Sequence, residues 1–411
     1  MTIIQDYLKL TQELINNYGP KSLVLMQVGS FFECYALLEK DGSYKGSKIK
    51  EFAEINDMTI SKKNICVGNC NVVMAGFGLP QIEKYIKKLQ ENGFTVAVYT
   101  QDCQSKNTTR SLSCIYSPGT YFSHDSQEIS NNITCIWIHY SKKNQILPEQ
   151  ITIGISNIDI FTGKTSIFEF STEYQETPGT YDYLEKFLSV YNPRETIIIS
   201  NLDSNTIDNI ISFINLNSIQ IHKIFINDTD SNNNLYFEAK RCEQQKYQFA
   251  VLDKIYKNDK FNFDDYFYSC IACQSLCFLL NFVEKHNPYL VEKIDIPKRE
   301  EYKDKLVLAN HSLKQLNIIS DKNFAGKLSS VKDFLNNCIT TMGKREFNQS
   351  LLNPITNVDL LNESYNITEY IIKNNKWEIF RSLLTNIRDI EKFKRKIIMK
   401  KFSPKDITIL Y

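Results

Sequence analysis

The sequence predicts an α/β multidomain protein with a small mixed α/β unit first, a second unit on a mixed sheet next, and an all-α unit last. Three observations carry that reading. The length of 411 residues suits roughly two or three domains. Up to about residue 235, short strand-like runs alternate with amphipathic helices, and beyond it the pattern is helical. Apolar residues make up 42%, enough for a core in each unit. The expected divisions are 1–125, 131–235 and 236–411.

Composition excludes several classes. A net charge of +1 and a pI near 7.4 give no global basic footprint, so any nucleic-acid contact must come from local placement. Met1–Leu10 has no basic segment leading into an apolar one, so no signal peptide is expected. No window approaches the roughly 18 apolar residues of a membrane span. A soluble, intracellular chain with no membrane partner is expected, its compartment unspecified. The 11 cysteines then read as free thiols.

Ile4–Asn17 reads as a helix, with Ile4, Tyr7, Leu8, Thr11 and Ile15 on one face. Gly19-Pro20 stops it. Leu23–Tyr35, LVLMQVGSFFECY, is the stretch on which the rest hangs. Leu23–Val28 reads as a buried strand ended by Gly29, which permits a turn. The whole stretch is read as a strand that delivers Phe31 and the Glu33 carboxylate to the surface, while Phe32 points inward. Asn71–Met74 is a further strand, and Gly76-Phe77-Gly78 permits a turn with unusual backbone angles. Ser61-Lys62-Lys63-Asn64 reads as a basic loop. Pro80 opens a helix with Ile82, Tyr85, Ile86 and Leu89 as its apolar stripe and Lys84, Lys87 and Lys88 toward the other side. Asn92-Gly93 ends it, Phe94–Thr100 is a strand, and Ser123–Asn132 is a polar linker.

Ile133–Tyr140, Ile151–Ile158 and Thr165–Phe170 read as three strands. Tyr181–Tyr191 and Ile207–Ile214 read as helices, and Thr196–Ser200 and Ile219–Ile226 as strands. The order βββαβαβ predicts a mixed sheet of ribonuclease H-like type. Asn227–Asn234 is a polar connector. Helices are expected over Asp265–His286, Lys305–Ile318, Ser329–Asn336, Asn357–Lys373 and Lys376–Leu384. Ser403-Pro404-Lys405-Asp406 is a helix start, with serine as cap, proline in the first turn and an acid at the positive dipole end. The chain stops at Tyr411, about two turns later. The expectation is a polypeptide truncated relative to its architecture.

Gly29-Ser30-Phe31-Phe32-Glu33 resembles the mismatch-recognition motif G-D-F-Y-E of the MutS DNA mismatch repair family, with Ser30 in place of Asp. Met74-Ala75-Gly76 resembles its M-A-G element. Val96-Ala97-Val98 with Gln101 resembles its V-A-I-C-E-Q strand, and Ser117-Pro118-Gly119-Thr120 its T-P-G-T end. Asp159-Ile160-Phe161-Thr162-Gly163 and Asn192-Pro193-Arg194-Glu195 resemble D-x-x-T-G and N-P-x-E of the family's connector. Leu308–Leu316, Thr341–Arg345 and Leu352-Asn353-Pro354 resemble its core. The collinear resemblance covers essentially the whole chain. It implies a mismatch-binding domain, a ribonuclease H-like connector and the first part of the core or lever domain, with clamp and ATPase beyond Tyr411. The looser fit to bacterial members suggests a divergent branch, from a large DNA virus or an organelle.

The resemblance also implies roles. Phe31 and Glu33 would contact a mispaired or looped base in double-stranded DNA. Arg110 would reach a phosphate or remain a solvated arginine. Full-length members are dimers that use ATP and magnesium, and the connector engages downstream repair proteins. The phosphate loop G-x-x-x-x-G-K-[ST] is absent, and Gly343-Lys344-Arg345 lacks both the upstream glycine and the following Ser or Thr. This chain is therefore expected to be no enzyme and to hold no cofactor.

The chemistry suits those residues. A protein that finds mismatches must read deformability, because it cannot read sequence. An aromatic wedge in the minor groove unstacks a base step at a cost of a few kcal/mol, and a mispaired step unstacks more cheaply. A carboxylate is repelled by phosphates, so Glu33 makes sense as a selector for a displaced base.

Other chemistry fares less well. Cys66 and Cys70 lack a second pair for a structural zinc site. Cys270, Cys273 and Cys277 fall on one helical face and read as buried small hydrophobes. The five histidines are scattered. A metal-dependent nuclease needs clustered carboxylates, whereas Asp159 sits where a turn-forming Asp is expected, with Glu169 the one other candidate. Two functions stand in competition: the DNA-recognition part of a mismatch repair protein, and a stand-alone DNA- or partner-interaction protein without repair activity.

Overall fold

The computed structural model describes residues 3–102, 109–123, 128–143, 148–227, 234–257, 266, 268–302, 304–306, 310–319, 326 and 328–410. Most of the expected 227–234 connector, part of the 123–132 linker, the start of the 265–286 helix, residues 307–309 of the 305–318 helix and Tyr411 lie outside these residues.

The first sheet is preceded by α1 (Ile3–Tyr18) and is built from β1 (Ser22–Val28), β2 (Phe31–Leu38), β3 (Tyr44–Lys45), β4 (Ser61–Val67), β5 (Cys70–Gly78), β6 (Thr95–Gln101) and β7 (Arg110–Tyr116). Its order is β4-β5-β2-β1-β6-β7, with β3 on β2. Only β1 and β6 pair in parallel. Helices α2 (Ile49–Asn56) and α3 (Ile82–Glu91) complete the unit. Phe52 of α2 and Tyr85 of α3 pack against Phe77 of β5, which also meets Phe32.

Three sequence expectations are corrected here. Leu23–Tyr35 is two strands of a hairpin, not one. Gly76-Phe77-Gly78 is no turn: it continues β5, and neither glycine has a positive φ. Ser61–Asn64 is no loop but the start of edge strand β4. Each error has one cause. Gly and Lys read locally as turn and loop, whereas pairing between strands is set by side chains distant in sequence.

The second sheet contains β8 (Asn132–Ser141), β9 (Gln150–Asp159), β10 (Thr165–Glu173), β11 (Glu195–Ser200), β12 (Gln220–Phe225) and β13 (Lys298–Arg299), in the order β12-β11-β8-β9-β10-β13. β8, β9 and β10 form an antiparallel meander, and β11 and β12 run parallel to β8. This is the expected mixed sheet, with β13 added at its edge. Alternation divides its side chains. Ile136, Ile138, Ile153 and Ile155 pack with α4 (Asp182–Tyr191) and α5 (Ser204–Phe213).

The other face is covered by α8 (Cys270–His286), alongside α6 (Asn234–Cys242) and α7 (Gln245–Tyr256). The Ser275 hydroxyl lies 2.7 Å from that of Ser156 and donates to the Cys135 carbonyl at 2.8 Å. A Cβ on Gly154 would come within 2.3 Å of the α8 backbone. The expected division at 235/236 therefore cuts through a packed unit, because these helices cover the connector sheet. Cys273 and Cys277 are buried as expected, but Cys270 is exposed at the helix start.

Beyond β13 lie α9 (Asn310–Gln315), α10 (Val331–Leu335), α11 (Thr341–Leu352), α12 (Val358–Lys373), α13 (Lys376–Leu384), α14 (Ile390–Ile398) and α15 (Pro404–Leu410). α14 docks back on the connector. Its buried Arg395 donates to the carbonyls of Leu290 and Glu292 at 2.6 and 2.7 Å and runs beneath Gly163. No helix among the described residues is long and apolar enough to cross a membrane.

Candidate functional site

The tip of the β1–β2 hairpin is a two-residue turn, Gly29-Ser30, between the paired residues Val28 and Phe31. Gly29 adopts φ +60°, the backbone region that such a turn favours and that glycine enters without strain. The tip is braced. Gly29 N–H donates to Gln101 Oε1 at 3.2 Å, Gln27 Nε2 to the Gly29 carbonyl at 3.1 Å, and Gln101 N–H to Gln27 Oε1 at 3.0 Å. Arg110 Nε donates to the Gln27 carbonyl at 2.7 Å. Arg110 thus lies at the same sheet end as Phe31, with its Nε turned inward to support the hairpin.

Phe31 projects from this braced tip and is 52% exposed, while Phe32 is 4% exposed and packs on Phe77. The expected outward and inward division of the two phenylalanines is what the strand alternation produces. Glu33 differs from expectation. It lies on the Phe31 side of the strand but is only 7% exposed. Its Oε2 accepts from Lys63 Nζ at 2.6 Å and from the Tyr35 hydroxyl. The Tyr35 ring meets Tyr7 edge-on at 5.2 Å. Burial, and next the bond to Glu33, raise the Tyr35 phenol well above its ordinary value, so it remains a donor.

Sequence reasoning took Lys63 for part of a basic loop, touching a DNA backbone or solvated, and missed that it and Tyr35 bond Glu33. Tyr35 sits two residues after Glu33 and so shares its face, a signal that alternation offers. Lys63 has no such signal, since it arrives across β5.

Gly76 supports the site in an unforeseen way. It pairs with Glu33, and a Cβ there would sit 3.2 Å from Glu33 Cγ and 2.6 Å from the Phe32 carbonyl. The carbonyl is backbone and cannot yield. Gly76→Ala is expected to cost about 1–3 kcal/mol by overpacking, read as a lower urea midpoint. A midpoint equal to wild type would show that the strand accommodates the methyl group.

The acids considered for a nuclease do not converge on a metal. Asp159 closes its own turn, accepting from Asn131 N–H at 3.0 Å, Phe161 N–H at 3.1 Å and the Thr162 hydroxyl at 2.8 Å. Burial raises its carboxyl above the ordinary value despite these donors. Glu169 instead accepts from Ala272 N–H of α8 at 2.8 Å. Among the described residues, no group of three or more His, Cys, Asp or Glu could hold a metal ion.

Comparison with known proteins bears on the family of the chain. Residues 3–125 match the family described as MutS domain I, and residues 311–411 match MutS domain III. A putative DNA mismatch repair protein, mutS homolog L359 of Acanthamoeba polyphaga mimivirus, is 26% identical over 100% of this chain and 38% of its own length. The DNA mismatch repair protein MutS of Petrotoga mobilis is 24% identical over 99% of this chain and 43% of its own. The mitochondrial DNA mismatch repair protein mutS homolog of Sarcophyton glaucum is 24% identical over 88% of this chain and 39% of its own. The chain thus spans about two fifths of the length of these relatives. The two domain matches together take in more than half of its residues, and this chain belongs to the MutS family.

Proposed function

We propose that this chain senses mispaired or looped bases in double-stranded DNA in the course of DNA mismatch repair. One observation carries the reading: a large aromatic side chain, Phe31, is held half exposed at a rigid hairpin tip while its neighbour Phe32 is buried. Leaving an aromatic ring in water forgoes burial worth about 1.5–3 kcal/mol. A wedge that enters a base step recovers this by stacking, worth about 1–3 kcal/mol. Glu33, two residues on, supplies an acceptor for the base that the wedge displaces. Arg110 reinforces the hairpin, and any charge it adds at this end of the sheet favours the DNA backbone.

The proposed role is binding, not catalysis, and it places the protein inside the cell with its DNA. ATP and magnesium, implied for longer family members, do not fit the one candidate in this chain. Gly343 N–H is taken by the Thr340 hydroxyl at 3.1 Å as a helix cap. Arg345 is held at 2.6–2.7 Å by Asp389 and Glu391. No step of the proposed function passes through nucleotide.

The test is a titration of the 411-residue chain at fixed, low salt with duplexes that differ only by one mismatch or one unpaired base. Tighter binding to both altered duplexes than to the matched one is expected. Equal affinity for all three would remove the reading in favour of a stand-alone interaction protein.

A further inference from the structure

The Glu33 carboxylate does not stand alone in the fold. Lys63 Nζ lies 2.6 Å from its Oε2 and 4.8 Å from the centre of the Tyr35 ring. Lys63 comes from edge strand β4, with β5 lying between it and Glu33 on β2. Gly76, paired with Glu33 across β2 and β5, leaves the room that the Glu33 side chain occupies. Both hydrogen bonds to Glu33 fall on Oε2, and among the described residues none reaches Oε1.

We propose that Lys63 and Tyr35 are positioning residues for Glu33, turning a carboxylate into a single-acceptor probe with its own counter-ion. The inference rests on the reading that Glu33 meets the displaced base. Two physical arguments lead to it. First, an unpaired carboxylate brought against the DNA backbone is repelled at the separations over which charges act, about 10 Å at 0.1 M salt. A lysine in direct contact cancels that charge without consuming the second oxygen. Second, a glutamate has three rotatable bonds, and two donors on one oxygen fix the direction of the other. An acceptor fixed in advance loses less freedom on meeting a base. It also rejects a paired base, whose donors are already used. The lysine side chain is 27% exposed, so its ammonium is partly shielded and serves Glu33 before it serves a phosphate.

The competing role for Lys63 is an ordinary phosphate contact, and a double-mutant cycle separates the two. Lys63→Met, Lys63→Arg, Glu33→Ala and the Lys63→Met/Glu33→Ala pair are each titrated with matched and single-mismatch duplexes across a range of salt. Lys63→Met is expected to lower the mismatch-over-match ratio roughly tenfold, the scale of losing a hydrogen bond to a charged group. Lys63→Arg should restore the ratio, Lys63→Met should have no further effect once Glu33 is alanine, and the salt slope should stay at the wild-type value. Tyr35→Phe should lower the ratio in the same direction. If Lys63→Met weakens both duplexes equally and flattens the salt slope by about one, Lys63 is a phosphate contact and the proposal falls. If Glu33→Ala alone leaves the ratio untouched, the assignment of Glu33 to the base fails first, and the two failures are told apart by that single variant.

Discussion

Phe31→Ala is expected to abolish the preference for mismatched over matched duplex while leaving the fold intact. The loss is set by the stacking that the ring supplies, about 1–3 kcal/mol, or roughly fivefold to a hundredfold in the affinity ratio. It falls on the altered duplex alone. In a matched duplex the ring would have to open a sound base step, at a cost of a few kcal/mol that cancels what it gains. At a mispaired step the opening is cheaper, so the ring's contribution survives there. Stability should change by less than about 0.5 kcal/mol, because the side chain is half exposed at a hairpin tip and packs on no core. Phe32→Ala is the control, one position away with the opposite outcome. It empties a buried site against Phe77 and is expected to cost about 3–5 kcal/mol of stability. Binding titrations and urea unfolding of both variants check the pair. A Phe31→Ala protein that keeps the full preference would show that the wedge lies elsewhere.

The two phenylalanines also mark how far the sequence could be read. Once LVLMQVGSFFECY is taken as extended, a period of two settles that Phe31 and Phe32 face opposite ways, and Gly29 marks the turn. The βββαβαβ order of the connector was legible for the same reason, since each run declares its own period. What depends on distant pairing was not legible. Gly76 looks like a turn glycine beside Gly78, and only its register with Glu33 shows that it makes room for a side chain. Lys63 looks like part of a basic loop, and only the β4-β5-β2 order brings it to Glu33. The apolar content of α8 announces burial, but not that the connector sheet is what buries it. Cys270, grouped with Cys273 and Cys277 by spacing, is exposed because it occupies the first position of that helix.

Glu195→Ala is expected to cost about 3–5 kcal/mol of stability, because it breaks a buried, fully bonded charge at the junction of the two sheets. Glu195 opens β11 of the connector and is completely buried. Its Oε2 accepts from Gly119 N–H at 2.8 Å and from the Ser117 hydroxyl, both in the turn where the chain leaves the first sheet. Its Oε1 lies 2.7 Å from His222 Nε2 on β12. Removing the side chain leaves Gly119 N–H and His222 Nε2 without this acceptor in a buried setting and the Ser117 hydroxyl with Thr120 at 2.9 Å, and each unmet buried polar group costs about 1–3 kcal/mol. Glu195→Gln keeps the volume but removes the charge, and with it a specific pH response. Burial alone would raise the Glu195 carboxyl, but the His222 hydrogen bond and charge, helped by Ser117, hold it below its ordinary value. A carboxylate held low in the folded state stabilises the fold above its unfolded pKa, about 4.3. That contribution is lost as the pH falls through the lower folded value. The wild-type urea midpoint should therefore drop as the pH is taken below about 4, and the Glu195→Gln midpoint should start lower and drop less. A Glu195→Gln protein that matches wild type at pH 7 and tracks it down through acid would show that the junction does not depend on this charge. A Glu195→Ala protein that unfolds in two steps, where wild type unfolds in one, would show that this residue makes the two sheets a single cooperative unit.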